Sequence, residues 1–263
     1  MELSIKITDV LGKVLAEQTK PDLVTLVYEK EYQEGDSILI ESSEDNVYLK
    51  VQIDDALGDA FVYLTQKEIK YQIPFKEKRS SYSPKVFYGT KHWLWVRKAT
   101  EEEISAYKNL ALNVMDQHTA EGCYPHAAAN VETRDEAVFA ARNAIDGVFE
   151  NHSHGEWPYQ SWGINQQDDA TMKLDFGRSV IIDKIVLYTR SDFPHDNWWK
   201  KVNITFSDQS MISWDLEKSE KAHVLSFGKR EVSWLELHDL VKSEDPSPFP
   251  ALSQIEVYGM EAN

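Results

Sequence analysis

Cysteine is almost missing from this sequence. Cys123 is the only one, which excludes an intramolecular disulfide and any zinc site built on cysteines. Basic residues are also in deficit: 28 lysines and arginines face 44 aspartates and glutamates, for a formal charge of −16. That balance argues against nucleic acid or an anionic membrane surface as the main partner and favours neutral or cationic ligands. No apolar run approaches the roughly 18 residues of a membrane span. The N-terminal MELSIKITDVLGKVLAEQ has charged or polar residues every few positions, where a signal peptide needs an unbroken apolar stretch. As written, the chain reads as cytoplasmic, and as extracellular if a leader has been removed. A glycine-rich phosphate loop, a Gly-x-Ser-x-Gly elbow, low-complexity segments and long internal repeats are all missing too, which sets aside solenoids and propellers.

What is present is a globular composition, 42% hydrophobic and 11% aromatic over 263 residues, enough for one large or two ordinary domains. Residues 1–98 alternate as half-buried strands do, in LSIKITDV, LVTLVYEK, DSILIES, VYLKVQI, AFVYLTQ and HWLWVRK, with the turn-rich breaks EYQEGD, SSEDN and DALGD between them. An antiparallel sandwich of unknown role is expected there. In TEEEISAYKNLALNVMDQ, Thr100 and Glu103 stand as a capping box, and Ile104, Tyr107, Ala111 and Val114 make an apolar stripe at helical spacing. The pattern predicts a linking helix within 99–120. From 121 to 263 short strands return, with a short helix at DEAVFAARNA. The expected fold is all-β: two jelly-roll-like β-sandwich domains joined by a helix.

The stretch richest in chemistry is SDFPHDNWWK, residues 191–200. Successive side chains on extended backbone point to opposite faces, so Trp198 and Trp199 cannot both enter one core. Trp214 and Trp234 lie in alternating strands and are expected in the core. Nearby, His152, His154, Glu156 and His195 offer a different reading, a transition-metal site that activates water in a metal-dependent enzyme. The adjacent Asp168 and Asp169 suit a glycosidase less well, since neighbouring loop acids are usually solvated. A protein-interaction module that uses an aromatic rim is a third reading. Cys123 is expected to be an inert or buried thiol.

Three further segments, NAIDG at 143–147, LDFGRSVIIDKIVLYTR at 174–190 and LSQIEVYG at 252–259, resemble in type and order the signatures of the discoidin, or coagulation factor 5/8 type C, domain. That family includes the family 32 carbohydrate-binding modules and belongs to the galactose-binding-like jelly rolls. The resemblance covers residues 121–260 and implies a non-catalytic protein that binds a carbohydrate through its rim loops. It implies a structural calcium ion, held by the carboxylates of Asp146 and Glu256, backbone oxygens of Asn143, Val148 and Ile255, and Asn151; such hard oxygen ligands are what calcium prefers. For the sugar it implies Arg190 and Asn197 on the hydroxyls, His152 or His154 with Trp157, Tyr159 or Trp162 on one loop, and Phe249 before the last strand. Trp198 or Trp199 would stack on the ring, with Asp192, His195 and Asp196 touching hydroxyls or bracing the loop. An indole matches the apolar face of a pyranose, and Arg, Asn, His and Asp together supply donors and acceptors for its hydroxyls. Trp162 and one of the adjacent tryptophans suit a core equally well.

Overall fold

Two clusters of buried apolar side chains organise the computed structural model, which describes residues 1–153, 155–191 and 197–262. The first lies between two antiparallel sheets. One sheet runs in the order Val14–Pro21, Glu2–Thr8, Ser37–Ser42, Glu68–Gln72. The other runs Cys123–Tyr124, Ala60–Leu64, Val47–Gln52, His92–Lys98, Leu23–Tyr28. The alternation in sequence decides the facing: Val24, Leu26 and Tyr28 are buried while Leu23, Thr25 and Val27 are exposed. Cys123, in the short edge strand, is buried, and burial pushes its thiol well above the ordinary range.

The second cluster is enclosed by a single eight-stranded sheet. Its main path is Trp162–Gly163, Ala251–Glu261, Met172–Thr189, His223–Lys242, Trp199–Phe206, Met211–Asp215. His126–Ala129 pairs with Met172–Thr189, and Lys108–Asn109 with Ala251–Glu261. Strands of 18 and 20 residues are too long for one flat layer. Register breaks at Asp175/Val180 and Ile182/Lys184 are where the sheet bends around Trp162, Phe176, Trp199 and Phe206. The fold is all-β, as expected.

Two motif glycines have steric causes. Gly177 of LDFG has φ +66°, and a Cβ there would lie 2.2 Å from the Tyr124 ring. A Cβ on Gly259 of EVYG would lie 2.1 Å from the carbonyl oxygen of Ile181. Neither position has room for a side chain.

The linking helix is much shorter than its stripe predicts. The Thr100–Glu103 capping box forms, but the helix covers only Glu101–Ser105. The chain then extends so that Lys108–Asn109 can pair with Ala251–Glu261, and Leu110 and Ala111 enter the second core. Lys108 Nζ donates to the carbonyls of Glu103 and Ile104, which satisfies the helix end. The apolar residues served extended packing, so a tertiary contact overrode a local periodicity. In place of a helix at DEAVFAARNA there are three short 3-10 turns, Thr133–Asp135, Ala137–Phe139 and Ala141–Ile145. Trp214 and Trp234 are half-buried rather than core: Trp214 packs on the outside of the second cluster, and Lys173 Nζ lies 5.2 Å from the Trp234 ring.

Candidate functional site

Arg190 immediately follows the strand Met172–Thr189, and its backbone N–H donates to the carbonyl of Ala251 at 3.1 Å. This contact places Arg190 beside the segment that carries Phe249, and both residues line one cavity of about 190 Å³. Arg190 is 2% exposed, and its Nη1 donates to the carbonyl of Tyr159. Phe249 is 38% exposed and stands at the mouth. Thr133, Arg134, Asn165 and Gln166 also line the cavity. Three of those four have left-handed backbone, with φ of 54°, 49° and 62° for Arg134, Asn165 and Gln166. Non-glycine residues adopt that region at a cost of about 1–3 kcal/mol each, and they concentrate at ligand clamps. Thr133 Oγ1 holds the turn by accepting from Asn165 N at 2.9 Å, and Arg134 is paired through Nε and Nη2 with the two carboxylate oxygens of Glu136. The cavity therefore combines a buried guanidinium, two side-chain amides and an exposed aromatic ring. Such a set can donate to and accept from hydroxyls while packing against an apolar face.

Of the residues expected to bind sugar, Arg190 and Phe249 meet in this cavity. Asn197 does not line it. Fully buried, it donates from Nδ2 to the carbonyl of Ser247 at 2.7 Å and accepts at Oδ1 from Trp198 N and Ser243 Oγ at 2.7 and 2.6 Å. Its own N–H donates to Phe249 O. Asn197 thus braces the 243–249 segment that presents Phe249, and its polar atoms are engaged there. The tryptophan pair divides: Trp199 is 1% exposed, while Trp198 is half-buried. Trp162 and Tyr159 are buried, and Trp162 Nε1 donates to Val131 O at 3.0 Å, so Trp162 belongs to the core rather than to a platform. His152 and Trp157 are exposed on the preceding loop and do not line the cavity. His154, Asp192, His195 and Asp196 lie outside the described residues. Among the described residues no three His, Cys, Asp or Glu side chains form a metal-binding group; His152 and Glu156 are both exposed.

Sequence reasoning missed Thr133, Arg134, Asn165 and Gln166. The run GINQQDD signals a polar turn, but nothing in it signals that the turn faces Arg190.

The two carboxylates of the expected calcium set are each engaged elsewhere. Asp146 is buried, with Oδ1 accepting from Val148 N at 2.8 Å and Oδ2 from Gln160 Nε2 at 3.0 Å. Burial pushes its carboxyl up to about 6 against the opposing charge of Arg142. Asn143 Oδ1 accepts from Arg142 Nη1, and this buried guanidinium is near enough to act on the Asp146 charge, so a cation at the turn would meet a resident positive charge. Glu256 takes the Tyr258 hydroxyl instead of reaching the turn. It is Gln254 that reaches it, accepting from Gly147 N at 3.1 Å and donating to the carbonyl of Ile255. Hydrogen bonds close this turn, with a neutral amide where a second carboxylate was expected.

A family profile described as a domain of unknown function, DUF7402, matches residues 122–258. No curated protein matches the chain. Solved structures with similar folds include chitosan-binding module 1 from a chitosanase/glucanase of Paenibacillus sp. IK-5, at 19% identity over 57% of this chain and 98% of that one, with a TM-score of 0.41. Another is the family 32 carbohydrate-binding module of C. perfringens NanJ in complex with galactose, at 16% identity over 50% and 91%, with a TM-score of 0.39. The lectin domain of lectinolysin complexed with Lewis b antigen is 17% identical over 59% and 98%, with a TM-score of 0.43.

Proposed function

The chain belongs to the DUF7402 family, and we propose that it is a non-catalytic carbohydrate-binding protein whose sugar sits in the cavity between Arg190 and Phe249. One observation carries this reading: Arg190 and Phe249, far apart in sequence, line the same cavity with the amides of Asn165 and Gln166. A pyranose offers one apolar face to the ring and several hydroxyls to the guanidinium and amides. The discoidin-like reading of residues 121–260 is part of the proposal and supplies the reason to look at those two residues together.

A single small polar ligand buries little area, so the expected dissociation constant is on the order of 1 mM, about −4 kcal/mol. The test is a glycan array followed by calorimetric titration of the best ligand. Phe249→Ala, at an exposed position, is expected to lose about 0.5–1.5 kcal/mol of stacking without changing the melting temperature. Arg190→Ala is expected to lose about 1–3 kcal/mol, because hydroxyls brought into the cavity would lack their donor. If both variants bind like the parent, the sugar does not use this cavity.

The calcium ion that the resemblance implies is left out of the proposed mechanism, because Asp146 is held by hydrogen bonds near Arg142 and Glu256 is engaged with Tyr258. Thermal melts in excess calcium and in chelator are expected to coincide. A melting temperature that climbs with calcium concentration would reveal native-state binding and overturn this expectation.

A further inference from the structure

A groove of about 660 Å³ lies between the two sandwiches. Phe75, Lys78 and Gln72 line it from the first sandwich, and Gln117, His118 and Asp135 from the chain that leads into the second. Its walls are fastened together. Ala137 N donates to Glu77 Oε1 at 2.6 Å, and the Gln72 backbone exchanges two hydrogen bonds with the Gln117 amide at 2.8 and 3.0 Å. The Arg142 guanidinium sits 4.6 Å from the centre of the Tyr82 ring. Such a space is formed before any ligand arrives, which removes part of the ordering cost of binding.

The groove and the Arg190 cavity share a wall. Thr133, Arg134 and Phe139 line the cavity, whereas Glu132, Asp135, Ala137 and Ala140 line the groove. The two linings alternate along this segment; at one crossing Arg134 faces the cavity and Asp135 the groove, adjacent residues that both have φ of 54°, and successive Cα atoms are only about 3.8 Å apart. Size then separates the two spaces. Sites for drug-sized ligands run from about 300 to 1,000 Å³; the cavity, at about 190 Å³, falls below that range, and the groove, at about 660 Å³, falls within it. Lys76, Lys78 and Arg142 of the groove are balanced by Glu34, Glu77, Glu132 and Asp135, a mixture that suits a neutral ligand with many hydroxyls better than an ion.

We infer that the groove is a second subsite and that the ligand is a neutral oligosaccharide, one ring of which lies in the Arg190 cavity while the chain continues over residues 132–140 into the groove. This rests on the carbohydrate-binding function proposed above and extends it to the first sandwich, which supplies half of the second subsite.

The test is calorimetric titration of the full chain with galacto-, cello- and chito-oligosaccharides, each from the monosaccharide to the hexasaccharide. For the series that binds, affinity is expected to rise at least about tenfold with length, a gain of about 1.4 kcal/mol. Phe75→Ala and Lys78→Ala are expected to flatten that rise while leaving monosaccharide affinity unchanged, whereas Phe249→Ala lowers affinity at every length. Lys78 is exposed, so its replacement reports on the groove even if Phe75→Ala folds poorly. Monosaccharide binding without a gain in length, or a gain that both groove variants retain, overturns the second subsite and leaves the proposed function standing. Absence of binding to every member of the series overturns both.

Discussion

Trp199→Ala is expected to destabilise the second sandwich by about 3–5 kcal/mol, while Trp198→Ala, one residue away, leaves stability within about 1 kcal/mol of the parent. Trp199 is 1% exposed, and its ring lies 6.1 Å from that of Trp162 inside the core that also holds Phe206 and Val202. Removing the indole leaves a cavity that the close-packed core around it collapses to fill only in part. Trp198 is half-buried, and its structural bonds are made by the backbone: its N–H donates to Asn197 Oδ1 and its carbonyl accepts from Ser243 N. Alanine keeps both. Denaturant unfolding of the two variants decides the matter, through a large fall in midpoint for Trp199→Ala at unchanged slope. Equal midpoints for the two would mean that Trp199 is not the buried member.

That pair also marks where sequence reasoning stops. Opposite facing of adjacent residues follows from extended backbone alone, so the division was legible. Which tryptophan enters the core was not. Val202, Ile204 and Phe206 are buried at strict alternation, and carrying that alternation back would point Trp198 inward. Register shifts between Trp199 and Lys201 and between Lys201 and Asn203 reverse the facing, and bulges of this kind leave no mark in the residues themselves. Most strands with a period of two were readable, as was the capping box, because each rests on a local rule; Glu68–Gln72 alternates as cleanly and was passed over, and the crowding at Gly177 and Gly259 comes from Tyr124 and Ile181, which no local rule reaches. The stripe from Ile104 to Val114 failed for the opposite reason: Lys108–Asn109 pairs with a strand some 150 residues later, at Tyr258 and Gly259, a partner no local window contains.

The candidate site divides along the same line. Arg190 and Phe249 were singled out because a motif order placed them near strand ends, where loops can present side chains, and they line one cavity. Asn197 was found by the same reasoning and has a different task. An amide can hydrogen-bond a sugar or a loop equally well, and only burial tells which; here the carbonyls of Ser243, Asp245 and Ser247 surround its Nδ2. Asn165 and Gln166 were invisible because their place at the cavity depends on left-handed backbone and on Thr133 Oγ1, a contact made 32 residues away.

Glu261→Ala is expected to cost about 3–5 kcal/mol and to loosen the joint between the sandwiches. Glu261 is 8% exposed and binds Arg178 through both oxygens, each at 2.7 Å. It also accepts from the Tyr48 hydroxyl at 3.0 Å and lies 3.5 Å from Lys108 Nζ. Arg178 in turn rests on the Tyr48 and Tyr63 rings of the first sandwich, at 5.4 and 5.3 Å. Alanine would leave this guanidinium buried beside aromatic rings with its carboxylate partner gone, and an uncompensated buried charge is what makes breaking such a pair expensive. Removing both charges together, in Arg178→Met with Glu261→Leu, should recover most of the loss, since the ionic pair itself contributes little over an apolar contact of similar volume. The pH dependence has a fixed sign. Burial raises the Glu261 carboxyl, but Arg178 and Lys108 outweigh it and hold the group below its ordinary range. Its contribution is therefore complete above the ordinary carboxylate range and is lost as pH falls through the lower native value. Calorimetric melts across acid pH should show that loss in the parent and a smaller one in Glu261→Gln. If Glu261→Ala melts as the parent does at neutral pH, the carboxylate does not hold the joint, and the rigidity of the inter-sandwich groove must come from other contacts, the Glu77–Ala137, Gln72–Gln117 and Arg142–Tyr82 ones among them.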